Sequence, residues 1–168
     1  MAFASRSDLL ARSNARRLAQ LAVPADMDMV PDEALRAAVA GSDLSAFSQA
    51  EQAALTLALE AIDQALADAD ALILSHGIPE TVQTTLLARL ASTVALYYLQ
   101  GAERMTEDVR KAYEATEAIL LKHRRGEVDL VPAAPTDPVS SDDLAIIESR
   151  PRRYRSSGVD EAALREAS

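Results

Sequence analysis

The chain contains no cysteine and no tryptophan, and aromatic residues of all kinds make up 4% of its 168 positions. Without cysteine there is no disulfide and no thiolate metal site. Histidine is nearly absent too, with only His76 and His123. No Gly-x-Ser-x-Gly elbow, P-loop, Gly-x-Gly-x-x-Gly turn or His-Glu-x-x-His helix is present, so the sequence offers no phosphate cradle, zinc site or nucleophile–base pair. The chain is therefore expected to be no enzyme and to need no cofactor and no metal. No apolar run reaches the roughly 18 residues of a membrane span. The start, MAFASRSDLL, lacks a basic region followed by an apolar stretch, so no secretory signal is expected. The expected setting is the cytosol, or something assembled there.

Apolar residues make up 49% of the chain, enough for a real core. With few aromatics and few β-branched residues, that core must be built from Ala, Leu, Ile and Val. This composition favours close-packed helices over a large sheet. The expected fold is all-α: a small bundle of four to five helices, one of them long, followed by an extended C-terminal arm.

The periodicity places the helices. Residues 5–22 form one short candidate, with Asn14 weakening its middle. Pro24 and Pro31 break the chain, and DEALRAAVA is a second short helix that Gly41 would stop. Ser48 and Glu51 form a capping box for a long helix over 49–75. Leu55, Leu59, Ile62, Leu66, Ala69 and Ile73 recur there at spacings of four and three, one buried stripe. Pro79 suits the first turn of the next helix, where Val82, Leu86, Leu87, Leu90, Val94, Tyr97 and Tyr98 cover a sector wide enough for the central position. Thr106 caps the last long helix. Glu107 and Asp108 open it, and Lys122, His123, Arg124 and Arg125 close it before Gly126, which suits the helix dipole. Its expected buried edge is Val109, Ala112, Tyr113, Thr116 and Leu120. Beyond lie Pro132, Pro135 and Pro138, an extended linker. The expected division is a helical domain over 1–126 and a Pro-rich, basic arm over 127–168.

The net charge is −9 but unevenly spread: residues 1–149 carry −11 and residues 150–168 carry +2. The basic run Arg150, Pro151, Arg152, Arg153, Tyr154, Arg155 could dock on an acidic protein surface. It could also contact phosphates, with Tyr154 stacking on a base, or remain a solvated tail. Asp63, Asp68 and Asp70 lie inside the long helix, which suits a solvated or subunit-facing acidic strip better than a Ca²⁺ loop. His76 and His123 sit at helix ends, where capping or solvation is favoured over catalysis.

The segment LLARLASTVALYYLQGAERMTEDVRKAYEATEAILLKHRRGEVDL resembles Mu-like prophage proteins long catalogued as a domain of unknown function. That family looks like the helical head–tail adaptor, or connector, proteins of tailed phages. The residues that carry the resemblance are Asp8-Leu9-Leu10-Ala11-Arg12, Ile62-Asp63, Gly77-Ile78-Pro79, Tyr97-Tyr98, Arg104, Val109-Arg110-Lys111-Ala112-Tyr113-Glu114, Gly126-Glu127-Val128 and Arg150-Pro151-Arg152. They run in order along nearly the whole chain. The segment SNARRL departs from the usual continuation of the first helix. The resemblance implies a structural neck protein of the virion, made in the host cytoplasm. It would form a ring, typically dodecameric, under the portal and join it to the next neck or tail-completion protein. The arm, through Arg150–Arg155, would reach the portal. Asp63 and Asp70 would face Arg104 or Arg110 of the next subunit. Genomic DNA would pass through the channel without sequence-specific binding, and no membrane would be involved. The alternative is a small helical DNA-binding regulator that grips through Arg150–Arg155.

Overall fold

The computed structural model describes residues 2–101 and 104–132. Among them the backbone forms six helices: α1 (Arg6–Arg12), α2 (Ala15–Ala22), α3 (Asp32–Val39), α4 (Gln49–Ser75), α5 (Thr85–Gln100) and α6 (Glu107–Arg124). The fold is an all-α small helical bundle. Residues 133–168, including the basic run expected to dock, lie outside the described residues.

The spine is α4, 27 residues and therefore about 40 Å long. Its capping box is formed: the Glu51 N–H donates to Ser48 Oγ at 3.3 Å and the Ser48 N–H to the Glu51 carboxylate at 2.8 Å. Leu55, Ile62, Leu66, Ala69 and Ile73 are buried as their spacing requires, and Leu59 is half-buried against the same core. Ala54, Ala58 and Ala65 fill the rows between them, so neighbouring helices meet α4 on small side chains. His76 caps the C-terminal end, with Nδ1 2.9 Å from the Leu72 carbonyl.

The N-terminal segment is two helices instead of the single one expected, and Asn14 is the cause. Its side chain accepts the Arg17 N–H at 2.7 Å, so it starts a new helix as an N-cap. Ser13 before it is extended, at φ −115° and ψ 152°. The break lets α1 and α2 take different directions and lay Leu9, Leu18 and Ala19 into one core.

A second difference falls at α5. It starts at Thr84, whose hydroxyl accepts the Leu87 N–H at 3.1 Å, and not near Pro79. Pro79 instead opens a turn closed by the Val82 N–H on its carbonyl, and Ile78 is buried beside it. α5 holds the central position, packed against α1, α2, α4 and α6. Its covered sector is narrower than its sequence suggests. Leu87, Leu90, Ala91, Val94 and Ala95 are buried, but Leu86 and Tyr98 remain 45% and 37% exposed. Buried Ser92 satisfies its hydroxyl on the Ala88 carbonyl at 2.6 Å.

α6 packs on α5 along one edge. Thr116 and Leu120 are buried, Val109 and Tyr113 half-buried, and Ala112 is exposed although its register suggested otherwise. The chain then turns at Gly126 (φ 73°). Leu130 enters the core, and its N–H faces His123 Nδ1 at 3.3 Å. Val131, half-buried, packs on the same core, so within the described residues the packed unit continues beyond Gly126.

Candidate functional site

α4 carries Glu51, Glu60, Asp63, Asp68 and Asp70 and not one Lys or Arg. This acidic strip is partly engaged within the molecule. Arg6 of α1 makes a two-pronged ion pair with Asp63, its Nε 2.7 Å from Oδ1 and its second nitrogen on Oδ2. That hydrogen bond, with the guanidinium charge behind it, holds the Asp63 carboxyl below the usual range. Asp70, one turn pair further on, accepts the Phe3 N–H at 3.0 Å. Its burial is the larger influence and raises its pKa, against that hydrogen bond. Together these contacts fasten the chain's N-terminal segment along α4. The Gln64 amide donates to Asp68 at 3.0 Å.

Arg104 and Arg110 are not brought to Asp63 or Asp70 of the same chain. Arg104 donates to the Gln20 carbonyl at 2.5 Å, tying the start of the α5–α6 return to α2. Arg110 bonds Glu107 and lies 3.6 Å from Glu114 along its own helix. Its hydrogen bond to Glu107 holds that carboxyl below the usual range. All four residues keep exposed or half-exposed side chains at the bundle surface. Arg150, Arg152, Arg153 and Arg155 lie outside the described residues.

Three features were not anticipated. Arg6 had no visible partner in sequence, because the pair spans 57 positions. Three of the four tyrosines, Tyr97, Tyr98 and Tyr113, cluster where α5 meets α6; their apolar register was legible, their stacking was not. Gln100 is 5% exposed, and its Oε1 is buried without a hydrogen-bond partner. A glutamine in the last turn of an apolar helix was the one available signal.

Among the described residues no group of three or more His, Asp or Glu is arranged to hold a metal, and no helix is long and apolar enough to cross a membrane. Among the described residues, three open grooves between helices are lined mainly by aliphatic side chains with one charged residue each, and a fourth, beside the start of α4, is acidic, lined by Asp26, Asp28 and Glu51 with Met27 and Met29.

Residues 3–149 match the model of the family described as Bacteriophage Mu, Gp36. The chain belongs to the Mu Gp36 family. Membership makes it a Mu-like phage protein of the structural or morphogenetic kind. The match takes in the whole helical unit and continues through the Pro-rich stretch to Ser149, ending just before Arg150. No curated protein matches the chain.

Proposed function

We propose that this Mu Gp36 family member is a head–tail adaptor. Copies stand side by side as a ring, a dodecamer by analogy with connectors, beneath the portal at one capsid vertex. The ring joins the portal to the next neck or tail-completion component, and the role is structural and not catalytic.

The observation that carries this reading is the match over residues 3–149, which spans the helical unit together with the Pro-rich segment that follows it in sequence. A helical unit followed in sequence by a Pro-rich, basic segment suits an assembly part. This strap, tipped by Arg150–Arg155, docks on an acidic face of the portal. The charge supports the same reading: residues 1–149 carry −11, so a ring of such units presents DNA with a repelling wall and lets it slide through. That sign also disfavours the DNA-binding regulator. In the ring, each charge expected to face a neighbouring copy would be shared with a partner it already has: Asp63 with Arg6, Asp70 with the Phe3 N–H and Arg110 with Glu107.

Head completion tests the proposal. A chain lacking residues 150–168 keeps its bundle, since every core residue identified lies before Pro132. Heads assembled with it should fail to join tails, and added full-length chain should rescue them. Normal tail joining by the truncated chain contradicts the docking role.

A further inference from the structure

α4 turns a second regular stripe toward solvent. Leu57, Glu60, Gln64, Ala67, Ala71 and Leu74 follow one another at spacings of three and four, and all of them are exposed. The stripe lies across the helix from the buried one. A solvent-facing stripe is ordinarily rich in charge. Here Glu60 is the one charged member, and Leu57 and Leu74 stand 42% and 44% exposed. The spacing is that of a helix seam that meets another surface.

A matching surface lies on the other side of the bundle. Between α5 and α6 is a groove of about 300 Å³. Leu86, Leu90 and Ile119 give it apolar walls, Ala112 and Ala115 leave it wide, and Arg89 is the one charged residue that lines it. Leu86, Arg89 and Thr93 lie about half a turn around α5 from Leu87, Ala91 and Ala95, which are fully buried. The groove therefore opens away from the core that α5 shares with α4, while the stripe looks out from the far side of α4. The stripe is mostly apolar with a single anion, and the groove is mostly apolar with a single cation. Among the described residues neither Glu60 nor Arg89 has an ion-pair partner.

We infer that the α4 stripe of one copy seats in the α5–α6 groove of the next, with Leu57 against the apolar walls and Glu60 on Arg89. A second α4 is a poor occupant for the stripe. That helix has five acids and no base, so two of them side by side repel. A contact between opposite faces is head-to-tail and repeats from copy to copy, closing a ring when the rotation per copy permits. The inference rests on the ring reading and deepens it by naming the two faces that meet. It assigns the contact between copies to Glu60 and Arg89 in place of charges already engaged within the chain.

The absence of cysteine makes cross-linking clean. Ala53 and Ala67 each stand seven residues from Glu60, about 10 Å along the helix. Whichever way α4 runs along the groove, one of them approaches Ala112. Full-length chains carrying Ala112→Cys with either Ala53→Cys or Ala67→Cys are oxidised, both purified and in phage heads completed with them. One of the two pairs should give a ladder of linked copies on a non-reducing gel. It should exceed by at least about tenfold the yield when Arg16→Cys, on α2, replaces Ala112→Cys. Glu60→Arg and Arg89→Glu, each added to the productive pair, should cut the ladder about tenfold. Both side chains are exposed, so neither change should disturb the bundle. Mixing the two charge variants should restore the ladder, because alternating copies again bring opposite charges together. Ladders unchanged by either charge variant, or equal to the Arg16 control, overturn the inference. So does stronger association of Glu60→Arg alone, the result that an α4–α4 contact predicts. Rings seen in the neck without a ladder sink the groove contact and leave the adaptor reading standing.

Discussion

Tyr97 and Tyr113 lie face to face across α5 and α6, their ring centroids 3.9 Å apart and their planes inclined by 15°. Tyr98 closes the cluster edge-on to Tyr97 at 5.8 Å. α6 buries only Thr116 and Leu120 completely, so this stack is a large share of what holds it to the bundle. Tyr113→Ala should lower stability by roughly 1–3 kcal/mol, from lost area and lost stacking. Tyr113→Phe should cost far less. Denaturant unfolding of the two variants checks the difference, and an equal cost would place the stabilisation in the hydroxyl.

The same stack predicts an alkaline signature. Burial pushes the Tyr113 phenol up to about 12, with the neighbouring Tyr98 contributing. An acid whose pKa is raised on folding binds its proton more tightly in the native state. Its contribution to stability is therefore full below the ordinary value of 10.0 and declines as pH rises toward 12. Absorbance titration should show a late tyrosine step that Tyr113→Phe removes.

Arg6 and Asp63 give the opposite sign. The Asp63 pKa is lowered, so the pair's contribution is present above the ordinary aspartate value of 3.8 and is lost as pH falls through the lowered one. Asp63→Asn should reduce stability at neutral pH by no more than about 1 kcal/mol, because the pair is half-exposed. The gap between wild type and variant should close in acid. A gap that widened on acidification would contradict the pairing.

Local signals were the legible part of this molecule. Ser48 and Glu51 announced the start of α4, the four-three spacing from Leu55 to Ile73 announced its buried face, and Thr106 and Gly126 bracketed α6. Each depends on residues within a turn of one another. Asn14 was visible as a weak point, but whether it bends a helix or caps a new one depends on where α1 can dock. The start of α5 lies five residues beyond the Pro79 signal, at Thr84, whose side chain caps the helix while Pro79 opens a turn. At the candidate interfaces, Asp63 and Arg104 were visible as charges but not as partners of Arg6 and Gln20, since those contacts join distant segments. The orphaned oxygen of Gln100 is a property of packing alone.

Asn14 offers a direct test of the split between α1 and α2. Asn14→Ala removes the acceptor for the Arg17 N–H and should cost about 1 kcal/mol. Asn14→Ser should recover most of it. If alanine instead stabilised the protein, a continuous helix over 5–22 would be the better description.

Gly101 ends α5 at φ 60° and ψ 176°, a region that side chains other than glycine's rarely enter. Nothing lies within 4 Å of the position a Cβ would take, so the cost of Gly101→Ala is backbone strain and not collision. A loss of roughly 1–3 kcal/mol is expected. A neutral substitution would show that the α5–α6 return takes another backbone path.

The adaptor reading is tested most directly by cryo-electron microscopy of the neck of a phage particle built with this chain. The account predicts a ring of helical wedges seated against the portal, each with its C-terminal strap reaching toward the head. Particles whose neck lacks the chain, or that carry it as isolated single copies elsewhere, would contradict it.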